Sequence, residues 1–225
     1  MDERCDDAIS TGEIVSIEAF RAYVSPYIPG CPFFLIDREV TRVLRELCEK
    51  AKLWKESVEV TSLHKNSNKI DIGPYPEAEV IYVEYVTYRG LELASTTERT
   101  LSRDFPRWRD IKGVPIYYFM SAKDSAIYLY PIPNLLAPLT IKYEVIVKPS
   151  LDAKSVPRFL FERFIDAVVD GALYGLMAIG GKEWSNPEEA ARRQQLYFAG
   201  IYRARDLSTR MYASQNLEIT PAKIY

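Results

Sequence analysis

The sequence predicts an α+β fold: a helical bundle with an inserted antiparallel β module, a small sandwich, and an extended C-terminal tail. Three observations support this prediction. Apolar residues recur at helical spacing in residues 12–56 and again in residues 150–208, which we expect to pack as one bundle. Residues 57–149 alternate and are rich in Val, Ile and Tyr, as half-buried strands are. Residues 209–225 carry no helical period and are predicted as the tail.

Two helices are predicted before the β module. The first, in SIEAFRAYVSPYI (residues 16–28), has apolar residues at helical spacing and Ser16 as a plausible N-cap. The PGCP turn then breaks the helical pattern. The second, in FFLIDREVTRVLRELCEKAKLWKES (residues 33–57), has an apolar stripe that continues to Trp54. Its charged opposite face is most simply explained as a solvated surface.

The β module is predicted from seven strand-like segments joined by short turns. These segments are VEVTSL, KIDIG, EVIYVEYVTY, LELAS, PIYYFMS, AIYLYPIP and LTIKYEVIVKP. Successive strands with short connections favour antiparallel pairing. One helix is expected to interrupt them at TTERTLSRDF (residues 96–105), with Thr96 or Thr97 as its N-cap.

Two more helices are predicted after the β module. The first spans SVPRFLFERFIDAVVDGALYGLMAI (residues 155–179), with Ser155 as its N-cap and Gly180 in the left-handed conformation that ends a helix. Asn186 is expected to cap the second helix, with a proline at the first helical position and Glu189 completing a capping box. The joint between them predicts an antiparallel helical pair.

The overall composition excludes several classes of protein. A formal net charge of -2 provides no strong basic field for nucleic acid. One histidine and three cysteines without a C-x-x-C spacing give no multi-histidine or zinc-finger pattern. No apolar run reaches the roughly 18 residues of a membrane helix, so no membrane association is expected. The N-terminus shows no secretory signal, which predicts synthesis in a reducing cytoplasm.

The glycines that precede Lys182 resemble a phosphate-binding loop, but the match fails. Gly175 and Gly180 have the required gap, whereas Gly181 stands where the loop needs its lysine. Glu183 occupies the position of the magnesium-binding hydroxyl, and its charge would repel phosphate. The segment also follows a predicted helix instead of a strand. A joint between two helices therefore explains these residues better than a nucleotide site does.

Residues suited to catalysis are few. Asp166 and Asp170, four residues apart on one predicted helix, are candidates for an acid pair or a metal clamp. The alternative is that they line the polar edge of the helix or pair with arginines of a neighbouring helix, and we favour it because no histidine accompanies them. No Ser/His/Asp set and no glycine-rich cofactor loop can be assembled. We therefore expect no enzymatic activity, no cofactor and no metal.

Aromatic and basic residues offer candidate contacts with other subunits. Arg192 and Arg193 lie near tyrosines on the last predicted helix, and Trp184 lies in the helix joint. Trp108 stands between two arginines in the DFPRWRD loop. Each has a simpler alternative, since exposed helical arginines usually pair with acids and such a tryptophan is often packed under a sheet edge.

The predicted tail combines a lack of helical period with scattered apolar side chains. An exposed apolar segment of this kind is typical of a region that binds a partner. The candidate residues for such binding are Met211, Tyr212, Leu217, Ile219 and Tyr225.

The order of these features resembles the adaptor proteins of the neck of tailed bacteriophages. The similarity rests on the PGCP turn before a helical stretch that reaches Trp54, on the YLYPIP strand of the β module, and on the joint GALYGLM…GKEWSNP. It covers most of residues 14–207, and the KEWSNP joint is its most specific part.

This resemblance implies a structural role in the virion. Copies of the chain would form a closed ring, commonly dodecameric, between the portal and the tail or nozzle proteins. DNA would pass through the lumen without specific binding, and the C-terminal segment would dock on the portal. Two alternatives stay open: another neck, tail-completion or tail-tube protein, and a metal-dependent enzyme that uses Asp166 and Asp170.

Overall fold

The computed structural model contains two compact units and describes residues 13–61, 63, 67–121, 124–134 and 140–213, with side chains described up to residue 210. The helical unit comprises the described residues up to Trp54 together with those from Lys148 onward. The β unit comprises the described residues from Lys55 to Val147. This α+β arrangement of helices and largely antiparallel sheets confirms the predicted fold class.

In the sequence, helices precede and follow the strands of the β unit. Short 3-10 helices lie at Ile17–Phe20, Ser25–Tyr27 and Trp108–Asp110. The regular elements in chain order are β1 (Ile14–Ser16), α1 (Arg21–Val24), α2 (Phe33–Ala51), β2 (Trp54–Val60), β3 (Lys69–Asp71), β4 (Ala78–Tyr88), β5 (Leu91–Glu92), β6 (Ala94–Ser95), α3 (Glu98–Asp104), β7 (Lys112–Gly113), β8 (Tyr117–Ser121), β9 (Ala126–Tyr130), β10 (Ile132–Pro133), β11 (Ile141–Pro149), β12 (Ser155–Pro157), α4 (Arg158–Met177) and α5 (Pro187–Ala213).

The core of the helical unit is formed where α2, α4 and α5 pack against one another. Glycines let α4 and α5 approach closely: a Cβ at Gly171 would lie 2.8 Å from the Tyr197 ring, and one at Gly200 would lie 2.7 Å from the Cβ of Ala167. Gly171 on α4 meets Tyr197 on α5, whereas Ala167, earlier on α4, meets Gly200, later on α5. The order of the contacts is reversed between the two helices, so they run antiparallel. This confirms the antiparallel pair that the joint predicts.

The β unit contains two four-stranded sheets. Their strand orders are β2–β11–β4–β5 and β3–β9–β8–β6. Pairing is antiparallel between β8 and β9 and between β3 and β9, whereas β6 runs parallel to β8. Along β11 the alternate residues Ile141, Tyr143, Val145 and Val147 are buried, and the alternation is interrupted at Ile146, which is buried as well.

Several predicted helix boundaries are corrected by the structure. The segment 16–28 is broken into a 3-10 helix, α1 and a second 3-10 helix. Helix α2 ends at Ala51 because Lys52 adopts the left-handed conformation, φ 53°. Trp54, predicted on the helical stripe, therefore lies in β2. Thr97 caps α3 as predicted, and its side chain accepts a hydrogen bond from the backbone N–H of Thr100.

The C-terminal helices also differ at their ends from the prediction. Ser155 does not cap α4, because it pairs with Ser16 in the short β1–β12 ladder and Pro157 precedes the helix instead. The left-handed glycine of the joint is Gly181, φ 73°, and not Gly180. Helix α5 continues to Ala213, so the first residues of the predicted extended tail are helical. The rest of that tail, residues 214–225, lies outside the described residues.

Candidate interaction surface

The joint between α4 and α5 is closed by backbone and side-chain hydrogen bonds. The Oδ1 atom of Asn186 accepts a hydrogen bond from the backbone N–H of Glu189 at 3.1 Å, which is the predicted N-cap. The reciprocal bond of a capping box is absent between these two residues, because the N–H of Asn186 donates to the carbonyl of Met177 at 3.0 Å. The joint thus ties the start of α5 directly to the end of α4.

The carboxylate of Glu189 binds two arginines instead of capping the helix. Arg192 Nη2 lies 2.6 Å and Arg193 Nε lies 2.7 Å from Glu189 Oε1. Arg193 Nη1 also lies 2.6 Å from Asp170 Oδ1 on α4, and the Asp170 and Arg193 side chains are only 14% and 13% exposed. We call Asp170, Glu189, Arg192 and Arg193 the arginine–carboxylate cluster. It links two helices through charge-assisted hydrogen bonds.

The charges in this cluster stabilise one another. Hydrogen bonds from Arg192 and Arg193 lower the pKa of Glu189 to about 2. Burial disfavours the charged form of Arg193, but hydrogen bonds with Asp170 and Glu189 outweigh it and raise the pKa of the guanidinium. Hydrogen bonding to Glu189 likewise raises the pKa of Arg192, so Glu189, Arg192 and Arg193 are ionised at neutral pH.

The N-terminal segment reaches the same region. The Arg193 guanidinium lies 4.8 Å from the ring centroid of Tyr27, a cation–π distance. Gly30 in the PGCP turn has φ 81°, and a Cβ at this position would lie 3.2 Å from Glu183 Oε2. The PGCP turn and the KEWSNP joint, which are distant in sequence, therefore lie side by side. Sequence reasoning missed Tyr27; its position just before PGCP was the available signal.

Trp184 is half-buried within this joint. Its indole Nε1 is buried and has no hydrogen-bond partner among the described residues. Lys182 is exposed, and its carbonyl accepts a hydrogen bond from Ser185. The element before Lys182 is the helix α4, as predicted, so a strand-to-helix phosphate loop is not formed here.

The two aspartates considered for catalysis lie in different surroundings. Asp170 is engaged by Arg193, which is the arrangement expected for a structural ion pair. Asp166 is exposed one turn earlier on α4. Within the described part of the chain, no group of three His, Cys, Asp or Glu side chains is arranged to hold a metal ion. The geometry at Asp170 therefore disfavours the metal-dependent alternative.

Trp108 lies in the core of the β unit. Its indole packs edge-on against Phe119 and Tyr130, and its Nε1 donates a hydrogen bond to the Ser102 hydroxyl at 3.1 Å. The residue is 5% exposed, and the Arg109 guanidinium lies 4.4 Å from its ring centroid. Little of Trp108 is left to contact another subunit.

The predicted partner-binding residues fall at or beyond the limit of the described chain. Met211 and Tyr212 lie on the last turn of α5, and their side chains are not among those described. Leu217, Ile219 and Tyr225 lie outside the described residues.

Exposed aromatic residues also lie elsewhere on the helical unit. They are Tyr23, Phe33 and Phe34 near the N-terminus, and Phe198 and Tyr202 on α5. The sequence places Tyr23 among the helically spaced apolar residues of segment 16–28 and Tyr202 beside the basic residues of the last helix, whereas it does not single out Phe33, Phe34 or Phe198.

No helix in the described part of the chain is both long enough and apolar enough to cross a membrane.

Comparison with known proteins points to one family. A search of curated proteins gives no significant match. A family model described as SU10 adaptor protein matches residues 17–218, which is most of the chain. The matched range contains the PGCP turn, the KEWSNP joint and the arginine–carboxylate cluster. The chain therefore belongs to the SU10 adaptor protein family, a family of structural phage adaptor proteins.

Proposed function

We propose that this adaptor is part of the virion neck. Copies of the chain close into a ring, with twelve the expected number, that joins the portal to the tail or nozzle proteins and extends the DNA channel. The observation that carries this proposal is the family match over residues 17–218. Membership in an adaptor family favours a part that connects other virion proteins over an enzyme.

The helical unit is suited to transmit contacts between partners. The arginine–carboxylate cluster and the cation–π contact with Tyr27 join α4, α5 and the N-terminal segment into one packed body. A closed ring also needs two different complementary faces on each subunit. In this proposal residues 12–56 and 150–208 supply those faces, and the module at 57–149 is an insertion into them.

The C-terminal segment is proposed as the anchor on the portal. Helix α5 ends at Ala213, and the residues that follow it in the sequence include Leu217, Ile219 and Tyr225. Together with Met211 and Tyr212 on the last turn of α5, these apolar residues suit a segment that binds an apolar groove on a partner.

The test is the mass of complexes formed with the portal protein of the same phage, measured by light scattering on the full chain. We expect a large complex of fixed stoichiometry. Deletion of residues 214–225 should abolish it while leaving α5 intact. A matched control replaces the polar tail residues Gln215, Asn216 and Lys223 by alanine and should still bind.

The outcomes separate the parts of the proposal. Binding that survives the deletion would remove the tail as the anchor and leave the adaptor role. A full chain that ignores the portal but binds tail-tube proteins would move the protein to another position in the tail. A tight, magnesium-dependent affinity for a nucleotide would contradict a purely structural role.

A further inference from the structure

The β unit contains a cleft that lies outside both the arginine–carboxylate cluster and the tail. Its volume is about 400 Å³. Sites for small molecules commonly have volumes of roughly 300–1,000 Å³ and combine apolar or aromatic walls with a few polar groups. The residues that line this cleft, from Asn68 to Tyr128, all belong to the β unit. The cleft is therefore a complete feature of one compact unit.

Aromatic rings form the apolar part of the cleft. Tyr128 on β9 lies opposite Phe119 on β8 in the antiparallel ladder, and the two rings stack with their centroids 5.2 Å apart and an interplanar angle of 10°. The Trp108 indole packs edge-on against Phe119 at 5.6 Å. Phe119 and Trp108 are buried, whereas Tyr128 is partly exposed. Among these three rings, Tyr128 therefore offers the most surface to a ligand.

Two carboxylates supply hydrogen-bond acceptors to the cleft. Asp124 Oδ2 accepts a hydrogen bond from the Tyr128 hydroxyl at 2.8 Å. Glu98, the first residue of α3, accepts one at Oε1 from Arg109 Nη2 at 2.5 Å. An ionised carboxylate has about four lone-pair sites, so one such bond leaves each of them able to accept more.

Hydrogen-bond donors line the same cleft. The Arg109 guanidinium carries five N–H groups and donates one of them to Glu98. The Asn68 amide donates one of its two hydrogens to the Leu129 carbonyl at 3.0 Å. Ser121 adds a hydroxyl, which can both donate and accept. The cleft thus presents donors and acceptors together around an aromatic ring.

The charges around the cleft largely balance. Arg109 is paired with Glu98. Lys69, which lies opposite Tyr128 on β3, is paired with Asp71 at 2.7 Å. An anionic ligand would therefore meet carboxylates, and a cationic ligand would meet a guanidinium. This balance favours a neutral ligand that can use both donors and acceptors.

We propose that this cleft binds a neutral sugar unit. A pyranose ring has an apolar C–H face that fits against an aromatic ring, and each of its hydroxyls both donates and accepts hydrogen bonds. Tyr128 would contact the apolar face, Asp124 and Glu98 would accept from sugar hydroxyls, and Arg109 would donate to them. The proposed ring and portal anchor use other residues, so this site adds a second binding function to the chain.

Saturation-transfer difference NMR on the full chain tests the proposal, with glucose, galactose, mannose and N-acetylglucosamine as probes. We expect at least one of them to bind with a Kd on the order of 1 mM, because a ligand of so few atoms supplies little binding energy. Methyl glycosides of the bound sugar then identify its source. Retained binding indicates one unit of a longer glycan, and lost binding indicates a free sugar.

Two variants locate the site. Asp124→Ala removes acceptors and Arg109→Ala removes donors, and each should weaken sugar binding roughly fivefold to tenfold. The matched controls Asp110→Ala and Arg107→Ala change exposed residues beside Arg109 in the chain that do not line the cleft, and they should bind like the wild type. Circular dichroism and thermal unfolding verify that all four variants fold. Because Asp124 and Arg109 lie on different segments, either variant alone suffices for the test.

Three results would overturn the proposal. The first is that none of the four sugars binds at concentrations far above the expected Kd. The second is sugar binding that both Asp124→Ala and Arg109→Ala leave unchanged, which would place the ligand elsewhere. The third is tighter binding of inorganic phosphate or methylguanidinium than of every sugar, which would make the cleft a site for charged ligands. The portal test at residues 214–225 is independent of all three, so the proposed function stands or fails separately.

Discussion

Gly171 is the residue that limits how closely α4 can approach its neighbours. A Cβ at this position would lie 2.8 Å from both Val43 on α2 and the Tyr197 ring on α5. Both contacts are buried side chains held by the core of the helical unit. The i, i+4 spacing of Gly171 and Gly175 in the sequence indicates that another backbone can approach there, but it does not name the partner helices.

We expect Gly171→Ala to lower the free energy of unfolding. Overpacking typically costs about 1–3 kcal/mol, which exceeds the gain of about 1 kcal/mol from replacing a helical glycine. Gly175→Ala is the matched control on the same helix. Its Cβ would meet the carboxylate of Glu39, a side chain that can turn away. Urea denaturation of both variants measures the difference, and equal effects would contradict the packing explanation.

Asp170 supports the joint through a half-buried ion pair. Replacement by asparagine leaves the Arg193 guanidinium with one carboxylate fewer, so we expect the free energy of unfolding to fall by roughly 1–3 kcal/mol. Glu162→Gln removes a more exposed partner of Arg158 and should change it by less than about 1 kcal/mol. If Asp170 instead served a metal, added divalent ions would stabilise the wild type and not the variant, and calorimetry tests this directly.

The end of α2 is set by the turn at Lys52 and not by the apolar pattern of the helix. The stripe continues to Trp54, but Lys52 turns the chain with φ 53° and its N–H donates to the Cys48 carbonyl. Its own carbonyl accepts a hydrogen bond from Ser208 on α5. The apolar periodicity alone cannot predict that α2 ends here. The chain has no glycine at the position that usually ends a helix, and the contact with α5 cannot be read from the sequence.

Replacing Lys52 by glycine should stabilise the protein relative to replacing it by alanine. Both changes remove the lysine side chain, so they differ only in the Cβ that the left-handed conformation disfavours. We expect the glycine variant to be more stable by about 1 kcal/mol. Thermal unfolding compares the two. A more stable alanine variant would mean that the turn changes its conformation when the side chain is shortened.

The α4–α5 joint predicts a particular dependence of stability on pH. The pKa of Glu189 in the folded protein is about 2, against an ordinary value of 4.5. A group with a depressed pKa stabilises the folded state above its ordinary value, and that contribution disappears as the pH falls toward the folded value. Glu189→Gln should therefore be less stable than the wild type at neutral pH, and the difference should shrink between about pH 5 and pH 2.

The control for this pH dependence is Glu188→Gln. Glu188 lies next to Glu189 on the first turn of α5, yet it makes no ion pair with the described residues. Its difference from the wild type should stay small across the same range. Denaturant unfolding at several pH values measures both. A difference for Glu189 that grows as the pH falls would contradict the assignment of the two arginines as its stabilising partners.

At the scale of elements, the strands were predicted more reliably than the ends of the helices. The segments rich in Val, Ile and Tyr were found as the strands β4, β9 and β11, whereas a regular alternation of buried residues is present only over Ile141–Val145 of β11. The pairing of Ser155 with Ser16 was missed because two three-residue strands are too short to give a period. The cluster around Arg193 depends on contacts between α4, α5 and the N-terminal segment, so only its charged residues were visible in sequence.

At the scale of the whole molecule, the joint lies within the helical unit, whereas the proposed portal anchor begins on the last turn of α5 and continues beyond it. We therefore expect a subunit that lacks residues 214–225 to lose portal binding while its core remains folded. In the proposed ring the channel wall would have to let DNA slide, and tight phosphate contacts would oppose sliding. A formal net charge of -2 is consistent with that requirement.

We expect the full chain to bind duplex DNA weakly at physiological salt, with a Kd no tighter than the roughly 10⁻⁴ M end of non-specific binding. A variant with Glu188→Lys and Asp206→Lys raises the formal net charge from -2 to +2, since each change adds two charges. It should bind more tightly and lose affinity steeply as salt is added, because each phosphate contact releases counterions. Fluorescence anisotropy at two salt concentrations compares the two proteins. Micromolar, salt-insensitive binding by the wild type would instead indicate a dedicated DNA site, and would exclude a channel wall that DNA passes freely.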